Sequence, residues 1–146
     1  MGAYMREKGY EPALVLCSTA VRAKETLRLI LPALVPKPRI RYSKDLYLTE
    51  WTALLAKVHK APVDVSQLLL IGHNPGMEQL AIALALRPHD AAERARAQRL
   101  AQKFPTAALA VFEFEGTSWG AVEPGLGRFA DYVRPKDLVA KNGSDE

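Results

Sequence analysis

The sequence predicts an α/β fold built on a mostly parallel sheet, and three observations carry that prediction. Short apolar runs alternate with longer segments of helical spacing along the chain. Two of the runs, 13–17 and 68–72, stop at turn residues that open directly into helical segments. Only near the C-terminal end do two strand patterns follow one another without a helix between them, which predicts an antiparallel edge there. With 146 residues there is room for one core, and a single domain is expected over 1–138 with a loose tail at 139–146.

Each element has its own justification. Met1 to Tyr10 reads as the end of a helix, with Gly9 as its C-terminal stop. Ala13 to Cys17 is an apolar strand, and Ser18 and Thr19 are natural caps for a helix over 20–34 that ends near Pro36 and Pro38. Arg39 to Tyr42 alternates as a short strand. Trp51 to His59 has apolar residues at 51, 54, 55 and 58, the spacing of an amphipathic helix. Strand 68–72 and helix 76–86 come next, with Pro75 suited to a first helical turn. A polar helical stretch covers 89–102. Ala107 to Phe114 alternates as a strand, Gly116-Thr117-Ser118 marks a turn, and a last strand covers about 127–133. The tail from Lys136 is expected to be loose.

Composition narrows the functional classes. Hydrophobic residues make up 49% and charged residues 25%, the balance of a soluble globular domain. No run approaches a membrane span, and no signal peptide is legible. A lone cysteine excludes an internal disulfide and fits the cytoplasm. The net charge of +4 is not concentrated as a nucleic-acid binder would concentrate it. Its densest basic stretch, Arg94 to Lys103, comes after Asp90 and Glu93 and reads as a solvated helix face. No metal-ligand spacing joins His59, His73 and His89, and no cofactor is implied.

The chemical signal lies at two strand-to-helix switches. Leu68 to Ile71 and Gly72 lead to His73, at the edge of an open α/β sheet where ligands bind and helix N-termini favour anions. A histidine there either satisfies a backbone carbonyl or faces a ligand. The segment 13–26 repeats the grammar and places Arg22 in the first turn of the next helix. A cation there opposes the helix dipole, a misfit explained if Arg22 faces a bound anion. Together the switches suggest a phosphate or carboxylate pocket. Two alternatives fail: Cys17 and Arg22 are separated by four residues where the cysteine phosphatase loop needs five. Asn74 stands where a nucleophile elbow needs serine.

The stretch Leu16 to Thr26, the turn Gly72-His73-Asn74-Pro75-Gly76 and the run Lys103 to Ala108 resemble the histidine phosphatase superfamily. Its small branch, the SixA-like phosphohistidine phosphatases, is the nearest match, over nearly the whole chain to about Leu138. The resemblance implies a three-layer α/β/α fold of the phosphoglycerate mutase type. It also implies a phosphohistidine-bearing signalling protein as partner and substrate. Arg22 corresponds to the family's second phosphate-binding arginine. His73 corresponds to its second histidine, which stabilises the transferring phosphoryl group. Ser18 is a candidate for a further hydrogen bond to phosphate, beside its reading as a helix cap. Glu50 is a candidate proton donor, beside its reading as an acidic residue at the start of the 51–59 helix.

The family's nucleophilic histidine comes directly after an arginine at the end of the first strand. None of the three histidines here is preceded by an arginine. The first strand is therefore expected to be missing from the sheet, from between the strands carrying Arg22 and His73, leaving both neighbours with unpaired edges. Either the sequence starts inside a longer natural chain or it is a shortened, catalytically silent relative. The functional expectation is phosphohistidine phosphatase, and the alternative is a phosphate- or phosphoprotein-binding module on the same fold. A mutase-like transferase fits poorly, because little chain is left for a substrate-enclosing cap.

Overall fold

The computed structural model describes residues 1–144, and among these it contains five strands and six α-helices. Helix α1 (Gly2–Glu7) buries Met5 and ends at Lys8. Gly9 comes next at φ +75°, a left-handed conformation that favours glycine, and turns the chain toward the sheet as expected. Strand β1 (Leu14–Ser18) is buried on both faces, the mark of a central parallel strand. It pairs in parallel with β2 (Arg39–Ser43) and with β3 (Leu68–Ile71), giving the order β2-β1-β3. Between β1 and β2 runs helix α2 (Val21–Ile30), continued by a 3-10 turn at Leu31–Ala33, so the predicted helix over 20–34 is tightened at its end by Pro32.

Helices cover both faces of this sheet, because successive strand residues point to opposite sides. Val15 and Cys17 join Met5, Ala23, Leu27 and Ile30 in one cluster against α1 and α2. Leu16 and Leu70 pack on the other side with helices α3 (Trp51–His59) and α4 (Gly76–Leu84), through Leu54, Leu55 and Leu80. The expected three layers are present.

A second, antiparallel sheet joins β4 (Leu109–Glu113) and β5 (Arg128–Val133), with an irregular register between Val111 and Phe112. Helix α5 (Ala91–Gln102) packs on it through Leu100, Phe129 and Tyr132. The polar character of α5 suggested a solvated helix, but Glu93 is only 2% exposed. Its carboxylate accepts N–H bonds from Phe129 (2.6 Å) and His89 (2.7 Å) and meets the His89 ring nitrogen at 3.0 Å. Burial works against its charge, yet these donors outweigh it and hold the carboxyl below the usual range.

Two expectations are corrected. The segment from Lys136 is helix α6 (Pro135–Ser144) rather than loose chain. Asp137 anchors its first turn, accepting from the Arg134 N–H (2.9 Å) and guanidinium (2.8 Å) and from Arg99 (3.0 Å). The end of the expected tail, residues 145–146, lies outside the described residues. The second correction concerns the sheet. Unpaired edges were expected between the strands of Arg22 and His73, but β1 and β3 pair directly, from Leu14 opposite Leu68 to Cys17 opposite Ile71. The free edge of β3 lies on its other side, toward β4.

Candidate functional site

Strands β1, β2 and β3 all run toward one edge of the sheet, so the loops leaving them converge there. Ser18 closes β1 opposite Ser43, and Cys17 lies opposite Ile71, which brings Ser18 beside the Gly72–His73 turn. Ser18 is fully buried. Its Oγ accepts the Ala20 N–H (3.2 Å) and lies 2.8 Å from His73 Nε2. A hydroxyl can donate to a neutral ring nitrogen or accept from a protonated one, so this contact serves either ring state. The N-cap of α2 is Ala20, not Ser18 or Thr19. Ser18 thus lies buried beneath the cleft with its hydroxyl against His73.

His73 itself is half-buried and lines the cleft at this edge. The ring of Tyr47 stands edge-on to it, with centroids 5.0 Å apart and planes at 86°. Below His73, the Asn74 side chain donates to the Phe104 carbonyl (2.7 Å) and accepts the Glu78 N–H (3.2 Å), locking the turn to the start of α4. Pro75 is the N-cap of α4 rather than its first residue. Gly76 is required by packing, since any side chain there would collide with the Thr49 carbonyl. That close approach keeps the loop of Tyr47 against the helix start.

Arg22 is the second residue of α2 and lines the same cleft. It is exposed, and among the described residues no carboxylate pairs with it. Glu50 is the N-cap of α3, its carbonyl accepting from Ala53 and Leu54, and it does not line the cleft. His59 and His89 are committed elsewhere. His59 Nε2 bonds to the Val122 carbonyl (2.7 Å), and His89 belongs to the Glu93 network. His73 is therefore the one histidine of this chain in the cleft. Cys17 is a buried thiol, and burial pushes it up to about 11. Among the described residues no group of His, Cys, Asp and Glu is placed to hold a metal ion, and no helix is long and apolar enough to cross a membrane.

Sequence reasoning missed Tyr47. The signal was available, because the residues after β2 must emerge at the same sheet edge as Ser18.

No family model matches the chain. An uncharacterized protein of Mycobacterium tuberculosis is 33% identical over 138 residues, spanning 92% of this chain and 81% of the relative. An uncharacterized protein of Mycobacterium leprae is 30% identical over 115 residues, 79% of this chain and 67% of that one. Among solved structures, a protein bearing the name SixA from Agrobacterium tumefaciens superposes with a TM-score of 0.68 at 26% identity. That match covers 92% of this chain and 75% of the other.

The chain has the fold of the SixA members of the histidine phosphatase superfamily.

Within the superfamily its neighbours are SixA proteins. One from Nakamurella multipartitia shares the fold at TM-score 0.68 and 24% identity, over 92% of this chain and 77% of that one. The protein histidine phosphatase SixA solved with tungstate does so at TM-score 0.69 and 19% identity, over 94% and 78%. The mixed α/β architecture with its parallel three-stranded sheet is the SixA form of the phosphoglycerate mutase-like fold.

Proposed function

We propose that the cleft at the ends of β1 and β3 is the phosphoryl-binding half of a phosphohistidine phosphatase site. The observation that carries this reading is the pairing of an Arg22 that meets no carboxylate among the described residues with a His73 held at one nitrogen by a buried serine, both lining one cleft. Arginine's planar fork grips two phosphoryl oxygens at once. The starts of α2 and α4 add N–H groups and favourable dipoles for an anion. With Nε2 fixed by Ser18, the other ring nitrogen of His73 is available to the phosphoryl group, and Tyr47 limits the ring's rotation.

Hydrolysis of a phosphohistidine breaks its P–N bond as a histidine nucleophile forms a new one. Water then cleaves that second bond, releasing phosphate. The role of Arg22 and His73 is to spread donors around the equatorial oxygens during both transfers. A phosphoramidate leaving group asks less of an acid than an alcohol does, which suits a cleft not lined by Glu50. The substrate is a phosphohistidine-bearing signalling protein.

A second reading has its own observation. Since His73 is the chain's one histidine in the cleft, these residues alone describe binding without turnover, a phosphate- or phosphoprotein-binding module. Incubation with a phosphohistidine-bearing protein separates the two. Phosphate release that falls at least a hundredfold in His73→Ala supports the phosphatase. Retention of the phosphoprotein without release, lost in Arg22→Ala, supports the module. Neither release nor retention overturns both.

A further inference from the structure

Among the described residues, two other than glycine hold a left-handed backbone: Leu48 at φ +46° and Ala107 at φ +63°. Both line the cleft that holds His73 and Arg22. Each also adjoins the His73 turn. Leu48 follows Tyr47, whose ring meets that of His73, and Ala107 comes shortly after Phe104, whose carbonyl takes the Asn74 amide. Residues with a side chain rarely adopt this conformation, and where they do the surrounding structure enforces it.

At Ala107 the enforcement is local. The Ala108 N–H donates to the Pro105 carbonyl (3.1 Å) and closes a four-residue turn in which Ala107 is third, the position where a type II turn needs a positive φ. At Leu48 it comes from anchors on both sides: Leu46 is buried in the core, and the Thr49 carbonyl lies against Gly76. Only Tyr47 and Leu48 lie between those anchors. Glycine or asparagine would take the bend with less strain. The leucine side chain recovers nothing by packing inside the chain, since it is 66% exposed.

The exposed apolar surface extends beyond Leu48. Tyr47 is 52% exposed, and Val21, directly before Arg22, is 76% exposed; both line the cleft as well. Arg22 is the charged side chain at this end. The other two in the cleft, Glu113 and Glu115, lie at and beyond the end of β4 remote from Phe104. A small phosphate compound with a second anionic group would find one guanidinium for both groups. A phosphoryl group on a side chain with apolar neighbours uses the whole surface, its oxygens on Arg22 and its neighbours on the three apolar side chains.

We propose that Leu48, with Tyr47 and Val21, forms a specificity-determining lip that takes the apolar residues flanking the phosphorylated side chain of a polypeptide. The proposal rests on the phosphoryl reading of Arg22 and His73 and adds what the rest of the ligand must be.

The test uses the whole chain and two pentapeptides of equal charge, Ala-Leu-X-Leu-Ala and Ala-Ser-X-Ser-Ala. In both, X is a triazolyl phosphonate, a mimic of phosphohistidine that resists hydrolysis. Calorimetry should show the leucine peptide binding about tenfold more tightly, the gain from partly burying one leucine side chain. Leu48→Asn keeps a residue that tolerates the left-handed backbone and removes the apolar side chain, so the preference falls to about twofold. Leu48→Met, apolar and of similar volume, keeps the preference. The ratio is the readout because a merely distorted loop weakens both peptides alike and leaves it unchanged. Equal binding of the two peptides, or a preference that survives Leu48→Asn, overturns the proposal. So does binding of inorganic phosphate with neither peptide. If neither inorganic phosphate nor either peptide binds, the phosphoryl reading falls and the lip falls with it.

Discussion

At the scale of single residues, the proposed phosphoryl site depends on a buried hydroxyl against its histidine. Ser18 is fully buried, and its 2.8 Å contact orients His73. Ser18→Ala removes one hydrogen bond of about 1 kcal/mol, so phosphate affinity is expected to fall roughly fivefold with the fold retained by circular dichroism. Arg22→Lys keeps the charge and loses the fork; about a tenfold loss of phosphate affinity is expected, measured by calorimetry. Cys17, with its thiol pushed up to about 11, should resist alkylation in the native protein at pH 8 and react once unfolded. The places of His73 and Arg22 in the fold were legible because a strand, a turn and a helix succeed one another at both positions. The contact of Ser18 with His73 was not, since a serine before a helix reads as a cap and this partner is 55 residues away. Tyr47 was legible only through the topology, because its contact with His73 depends on three strands ending together.

At the scale of elements, the segments with strong periodicity appeared where the spacing put them, α3 over Trp51–His59 above all. The errors fall where long-range partners decide. Helix α5 has a polar sequence, yet it docks through a buried carboxylate that takes up the backbone of β5 and the His89 turn. Glu93→Gln keeps the shape but loses the charged acceptor, and a cost of about 1–3 kcal/mol in urea unfolding is expected. The pH dependence has a definite sign. Because the folded carboxyl lies below its ordinary value, its contribution is complete above about pH 4.3 and is lost as pH falls further. Melting temperatures of Glu93→Gln should therefore decline less steeply on acidification than those of the parent. Helix α6 was missed because its first turn is held by Arg99 and Arg134 on Asp137, of which Arg99 lies far away in sequence.

At the scale of the molecule, two sheets meet across a cleft. The class of fold was readable from alternation of strands and helices, but the order of strands was not, because nothing local says which edge of β3 stays free. Several hydrogen bonds cross between the parts, and two of them share one acceptor: the phenols of Tyr4 and Tyr10 both donate to Asp131 on β5, at 2.6 Å. Burial first, and then that carboxylate, raise both phenols well above their ordinary value. Their stabilising effect is thus complete below about pH 10 and is lost as pH rises through the higher folded values. Ultraviolet titration should show two tyrosines ionising late, and Asp131→Asn should bring them back toward pH 10. The central claim, that the edge formed by β1 and β3 binds a phosphoryl group, has a direct measurement. Inorganic phosphate titrated into nitrogen-15-labelled protein should shift the amides of residues 18–23 and 72–77 saturably, and Arg22→Ala should abolish the response. Amides that do not move, or that move equally in Arg22→Ala, would contradict it.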